Sequence, residues 1–158
     1  MNDPFSSRLQ SLLDPVVELV RGRELNQSLE YDLNREFPAD SAEFGAITAA
    51  CREGVDTGNL CQREAGGIRY GRALGVSEQL AGMSVDVVYM KDVVGPQHTH
   101  PNGEIDMIMP IAETAKFDGR AAGWLVYEPG STHRPTVTGG DSLILYLLPN
   151  GEIHFTRT

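Results

Sequence analysis

Near Ala65-Gly66-Gly67 the spacing of apolar residues changes period, and that change divides the chain in two. Upstream, Leu9, Leu12, Leu13, Val16, Val17 and Val20 recur at three- and four-residue intervals, which puts them on one face of a helix. Pro15 lies inside this stripe. With no amide hydrogen to donate, it predicts a fresh helical turn or a kink. A second helix is predicted to begin at Asp40, with Glu43 closing a capping box. Its apolar face carries Phe44, Ile47, Cys51 and Val55, and Gly54 and Gly58 help to end it.

Downstream the pattern becomes strand-like. Short runs bounded by Gly, Pro or Asp predict strands at 68–74, 84–91, 104–111, 123–128, 142–148 and 152–156. Pro149-Asn150-Gly151, between the last two, is a hairpin signal. Strands this short and regularly spaced predict a sandwich or barrel. The expected organisation is a helical segment over 1–62 and a mainly β domain over 63–158, with no internal repeat and no low-complexity segment.

Composition narrows the function classes. A length of 158 residues suits one domain with its own core. The formal charge of −9, with no Lys/Arg stripe, argues against a nucleic-acid partner. The opening residues lack the basic start and apolar run of a signal peptide, and no stretch is apolar enough to span a bilayer, so no membrane partner is expected. Cys51 and Cys61 do not form a CxxC pair, and neither has the neighbours of a nucleophile; a reduced cytoplasmic protein is expected. No dinucleotide motif is present, so no nucleotide cofactor is expected.

The chemistry is concentrated in two runs. In His98-Thr99-His100-Pro101-Asn102-Gly103-Glu104, side chains two apart on an extended strand share a face, so His98 and His100 can address one ion. Pro101-Asn102-Gly103 reads as a turn that brings in the Glu104 carboxylate. The second run, Glu128-Pro129-Gly130-Ser131-Thr132-His133, adds a third imidazole after a Pro-Gly corner. Three imidazoles and a carboxylate suit one divalent transition metal ion, Zn, Fe, Ni or Mn, with room for water or substrate. Asp106 shares the face of Glu104 and is open to three roles: ligand, acceptor for a ligand histidine, or proton carrier. His154 reads as a hydrogen-bonded or exposed histidine. Arg69, Arg72, Arg120 and Arg134 are candidates to clamp a carboxylate, though each alone also reads as a solvated surface residue. Arg69, in a strand beside Tyr70, carries the most weight. Trp124, Tyr89, Tyr127 and Tyr146 could line an aromatic pocket or fill the core.

These two runs resemble the motifs of the cupin superfamily, His-x-His with a Glu and Pro-x-Gly-x-x-His. The resemblance implies a cupin-type β-barrel, a jelly roll, behind the helical segment. The turn positions depart from the pattern: the leading glycine is Asp92, the closing glycine is Ile111, the second-motif proline directly precedes the glycine, and the usual asparagine is Val137. A closer resemblance is to the small bacterial 4-hydroxylaminobenzoate lyase family. It rests on Gly67-Ile68-Arg69-Tyr70, on Gln97 through Asp106 and on Tyr127 through His133, and the helical leader fits the same layout.

That resemblance implies conversion of 4-hydroxylaminobenzoate to 3,4-dihydroxybenzoate with release of ammonia, in nitrobenzoate breakdown. The reaction is redox-neutral overall. The site residues expected on this reading are His98, His100, Glu104 and His133 for the metal, Asp106 with Glu104 for catalysis, and Arg69, Tyr70 and Arg134 for a small aromatic carboxylate. A homodimer is implied by resemblance to cupins. Two other readings remain open on the residues alone: a cupin dioxygenase using Fe(II) and O₂ on an aromatic or thiol substrate, and a non-catalytic cupin that binds a small ligand.

Overall fold

The computed structural model of the protein describes residues 3–155. Three helices come first. Helix α1, Pro4–Val20, starts under an Asp3 cap that accepts from the Ser6 amide. It runs unbroken through Pro15. Leu9, Leu13, Val16, Val17 and Val20 are all buried along one face. Burial of each is worth roughly 1.5–3 kcal/mol, and together they outweigh a cost of about 3 kcal/mol for one interior proline.

Helix α2, Gln27–Glu36, was not legible in the sequence, because only Leu29 and Leu33 are buried on it and two apolar positions make no stripe. Helix α3, Ala42–Thr57, is capped by Ser41, whose hydroxyl accepts from the Phe44 amide; the expected cap, Asp40, lies one residue too early. Gly58 ends it in the left-handed conformation (φ 83°). Gly54 instead lies inside the helix, where a Cβ would come within 2.5 Å of the Phe5 ring.

The strands are β1 (Arg63–Ala65), β2 (Ile68–Ser77), β3 (Met83–Val94), β4 (His98–His100), β5 (Glu104–Pro110), β6 (Lys116–Phe117), β7 (Gly123–Tyr127), β8 (Ser131–His133), β9 (Thr136–Pro149) and β10 (His154–Phe155). They form two sheets. The larger runs β1-β2-β3-β9-β5-β7, with β6 also on β9; the smaller is β10-β4-β8. The architecture is the expected jelly roll behind a helical segment.

The expected hairpin at the end of the chain does not form. Pro149-Asn150-Gly151 does turn, with Asn150 and Gly151 both at positive φ, but β9 and β10 do not pair with each other. The turn hands the chain from the large sheet to the small one, where β10 pairs with β4.

Strand alternation sorts the large sheet into two faces. Val85, Val87, Ile105, Met107, Leu143, Leu145 and Leu147 share one cluster with the helices. Met90, Ile108, Leu125, Ile144, Tyr146 and Leu148 form a second cluster on the inner face. Helix α2 does one thing more: Glu30 accepts from the Val126 amide, and Asn34 exchanges two hydrogen bonds of 2.9 Å with the Trp124 backbone. Strand β7 is the last in the sheet, so these side chains satisfy an edge that would otherwise be open. No helix among the described residues is long and apolar enough to cross a membrane.

Candidate metal centre

Three backbone facts bring the site together. His98 and His100 point the same way from β4, and both are buried. The antiparallel β4–β8 register sets His133 directly opposite His98. Between them the chain turns at Gly103 (φ 85°), and Glu104 enters from the first position of β5. A Cβ at Gly103 would lie 2.7 Å from the Tyr127 carbonyl oxygen, so this close approach needs glycine.

Four donor atoms converge. His98 Nε2 lies 3.1 Å from His133 Nε2, and His100 Nε2 lies 3.1 Å from Glu104 Oε1. His98 and His133 each stand 3.6 Å from a Glu104 oxygen. Two atoms held about 2.1 Å from one ion at tetrahedral angles are about 3.4 Å apart, so these separations match a shared cation. Hydrogen bonding leaves part of the cluster unsatisfied. His100 Nε2 and both Glu104 oxygens are buried without a hydrogen-bond partner among the described residues. Such groups are costly to leave unpaired, and a cation satisfies all of them at once.

The outward nitrogens are held as ligand imidazoles usually are. His100 Nδ1 lies 3.0 Å from Ser131 Oγ, and His133 Nδ1 lies 2.7 Å from Asp118 Oδ2. Asp118 also accepts from the Tyr127 hydroxyl at 2.5 Å and from the Thr136 amide at 2.9 Å. Burial would raise the Asp118 carboxyl, but the His133 contact and these two donors hold it below its usual range. Burial depresses the His133 imidazole, yet Asp118 and then Glu104 outweigh it and lift it to about 9. Of the three outward nitrogens, His98 Nδ1 alone is buried with no partner among the described residues.

The two acidic groups of β5 diverge in character. Burial alone would raise Glu104, but the surrounding imidazoles keep it ionised, well below the ordinary range. Asp106 is fully buried, and neither of its oxygens accepts a hydrogen bond among the described residues. Burial first, and then the Glu104 charge, push it well above the ordinary range, which favours the protonated carboxyl.

Comparison with known proteins gives this geometry its context. The family model described as PnbB, 4-hydroxylaminobenzoate lyase, matches residues 11–155. The chain belongs to the 4-hydroxylaminobenzoate lyase family. A protein of that name from Nocardioides sp. (strain LMS-CY) is 32% identical, covering 94% of this chain and 95% of its own. Another, from Pseudomonas putida, is 30% identical over 86% and 87%. The crystal structure of the DMSP lyase DddQ from Ruegeria pomeroyi DSS-3 shares the fold, with a TM-score of 0.60 over 98% of each chain at 15% identity.

In this member of the 4-hydroxylaminobenzoate lyase family, a lyase built on a cupin fold, the departures from the cupin pattern have local explanations. Asp92, at the leading glycine position, adopts φ 43°, a conformation Asp tolerates better than most residues. It sits where the β3–β9 register shifts, and its side chain accepts from the Gly140 amide. Val137, at the asparagine position, is buried in the inner cluster.

A cavity of about 580 Å³ opens on His98 and is also lined by Tyr70, Arg72, Tyr146 and Phe155. Of Arg69, Tyr70 and Arg134, the residues expected at the substrate, only Tyr70 lines it; of the four candidate arginines, only Arg72 does. Arg69 is on the opposite face of β2, its guanidinium 5.8 Å from the Tyr89 ring centroid, and Arg134 is exposed outside the cavity. Strand parity is the reason: Ile68, Tyr70 and Arg72 face inward, so Arg69 cannot. Tyr146 is a wall of the cavity, and Tyr127 packs its ring 4.2 Å from His133; Trp124 and Tyr89 serve the helix-facing side. His154 is exposed, outside the cluster. Asp118 went unnoticed in the sequence, where Asp118-Gly119 reads only as a turn.

Proposed function

We propose that the protein converts 4-hydroxylaminobenzoate to 3,4-dihydroxybenzoate and ammonia, with one divalent transition metal ion held by His98, His100, Glu104 and His133. The observation that carries this reading is the convergence of those four donors in a chain similar along nearly its whole length to proteins named for that activity. When bound, the ion would supply Lewis acidity toward an oxygen and ease ionisation of water near neutral pH.

The chemistry balances without an external oxidant. The N–O bond breaks with its electron pair on oxygen, which leaves as water once protonated. One water adds to the ring carbon ortho to nitrogen, a second hydrolyses the resulting imine, and ammonia departs. Two waters enter and one leaves, and the electron pair taken up by the N–O bond is the one the ring gives up.

The residues divide this work. Asp106 is a buried carboxyl beside Glu104 whose pKa burial raises, which suits it to protonate the departing hydroxyl. Asp118 and Ser131 orient His133 and His100 and so act as positioning residues. Tyr70 and Tyr146 offer aromatic walls to the substrate ring. Two free, buried thiols, Cys51 and Cys61, support a reducing, cytoplasmic setting.

The test is ammonia and catechol release from 4-hydroxylaminobenzoate under argon, with protein of known metal content. The expected result is anaerobic turnover that a chelator abolishes and a divalent ion restores. Turnover that survives complete metal removal would overturn the metal's role. Activity only in air, with oxygen consumed, would replace the lyase by a dioxygenase.

A further inference from the structure

Four side chains form one row across the inner face of the large sheet. Arg72 on β2 is the register partner of Asp86 on β3, Asp86 of Tyr146 on β9, and Tyr146 of Asp106 on β5. Direct cross-strand partners project from the same face, so the row is continuous from Arg72 to Asp106. Exposure falls along it: Arg72 is at the rim, Asp86 is partly covered, and Tyr146 and Asp106 are buried. The first three line the cavity that opens on His98, and the last is two residues from Glu104.

Arg72 is fixed before any ligand arrives. Its Nε donates to Asp86 Oδ1 at 2.8 Å, and its Nη2 donates to the Gly151 carbonyl at 3.0 Å. Nη1 makes no hydrogen bond among the described residues. A guanidinium held along one edge keeps donors free on its other side, in a geometry that suits a carboxylate. One other arginine, Arg63, lines the cavity, but it is exposed and without a hydrogen bond or ion pair among the described residues. Ordering such a side chain costs conformational entropy on binding, and Arg72 has already lost it.

We propose that Arg72, held by Asp86 and Gly151, anchors the carboxylate of a para-substituted benzoate, whose ring lies along Tyr146 with its nitrogen end toward His98 and Asp106. The orientation rests on the lyase reading above; the carboxylate anchor does not. The same row then sets specificity, since an aromatic hydroxylamine without an acidic group para to nitrogen leaves the Arg72 end unpaired.

Calorimetry with unreactive probes separates the two ideas. Wild-type protein, Arg72→Gln and Arg63→Gln are titrated with 4-aminobenzoate and with its neutral counterpart 4-aminobenzamide. Arg72→Gln is expected to weaken 4-aminobenzoate binding at least about tenfold, the loss of one charge-assisted hydrogen bond. It should keep its affinity for the amide, and Arg63→Gln should bind both probes as wild type does. Equal losses on acid and amide would make Arg72 a structural residue and overturn the proposal. So would a larger effect from Arg63→Gln, or a wild-type protein that does not prefer the acid. Acid binding that depends on Arg72, in a protein with no ammonia release, would uphold the anchor while the lyase reading fails.

Discussion

His98 and His133, 35 residues apart, face each other across the β4–β8 pair with their Nε2 atoms 3.1 Å apart. Two imidazole nitrogens this close repel each other through their lone pairs unless a proton or a cation lies between them. Glu104, buried within 3.6 Å of both, adds a negative charge that a shared cation would balance.

Asp118 holds the imidazole of His133 from behind, and Asn in its place keeps the shape but not the charge. Its left-handed backbone, φ 49°, is one that Asn also accepts. Asp118→Asn should fold and lose metal affinity by about 10- to 100-fold. Competition with a chromophoric chelator reads the dissociation constant directly; an unchanged value would show that Asp118 serves only the turn.

Asp106 accepts no hydrogen bond among the described residues, and Asn matches its shape while removing its titratable proton. The variant should hold a full complement of metal while kcat falls by about 10²- to 10⁴-fold, the usual contribution of a positioned proton carrier. Metal analysis and steady-state rates on the same preparation check both halves. A normal kcat would reduce Asp106 to a buried structural carboxyl.

Asn34 pairs both backbone groups of Trp124 at the β7 edge. Asn34→Ala should cost about 1–3 kcal/mol, because two partly buried backbone groups lose their partners. The midpoint of urea unfolding measures it. No shift would mean that water satisfies this edge unaided.

Burial disfavours a thiolate, so it raises both cysteines, Cys61 to about 11 and Cys51 to about 12. Arg69 opposes the rise at Cys61 but does not cancel it. At pH 8 the thiolate fraction of Cys61 is then about one in a thousand, and reactivity should climb with pH toward 11. Native protein should react slowly with a disulfide reagent at pH 8, and unfolded protein fast. Rapid labelling of two thiols in the native state would contradict this.

Much of the site was legible because its geometry is local. His98 and His100 share a face through strand alternation, and Glu104 follows them across a turn whose Gly103 is required by a close approach to the Tyr127 carbonyl. What was not legible depended on remote partners. Asp118 reaches His133 because β6 and β8 are brought together through β9, 15 residues away in the chain from the imidazole it holds. Helix α2 carries too few apolar residues to announce itself; its polar Glu30 and Asn34 have meaning only against a strand edge some 90 residues on. Pro149-Asn150-Gly151 turns as its residues dictate yet joins no hairpin, since turn chemistry is local and strand pairing is not.

The sequence by itself determined the period of each segment, the four donors and the turns between them, because helix and strand repeats and positive-φ positions depend on neighbouring residues. Only the tertiary structure decided which face of each strand looks inward. That choice placed Arg72 rather than Arg69 in the cavity and set His133 opposite His98. It is made by burial summed over the whole sheet against the helices, and no single strand carries enough of that energy to choose for itself.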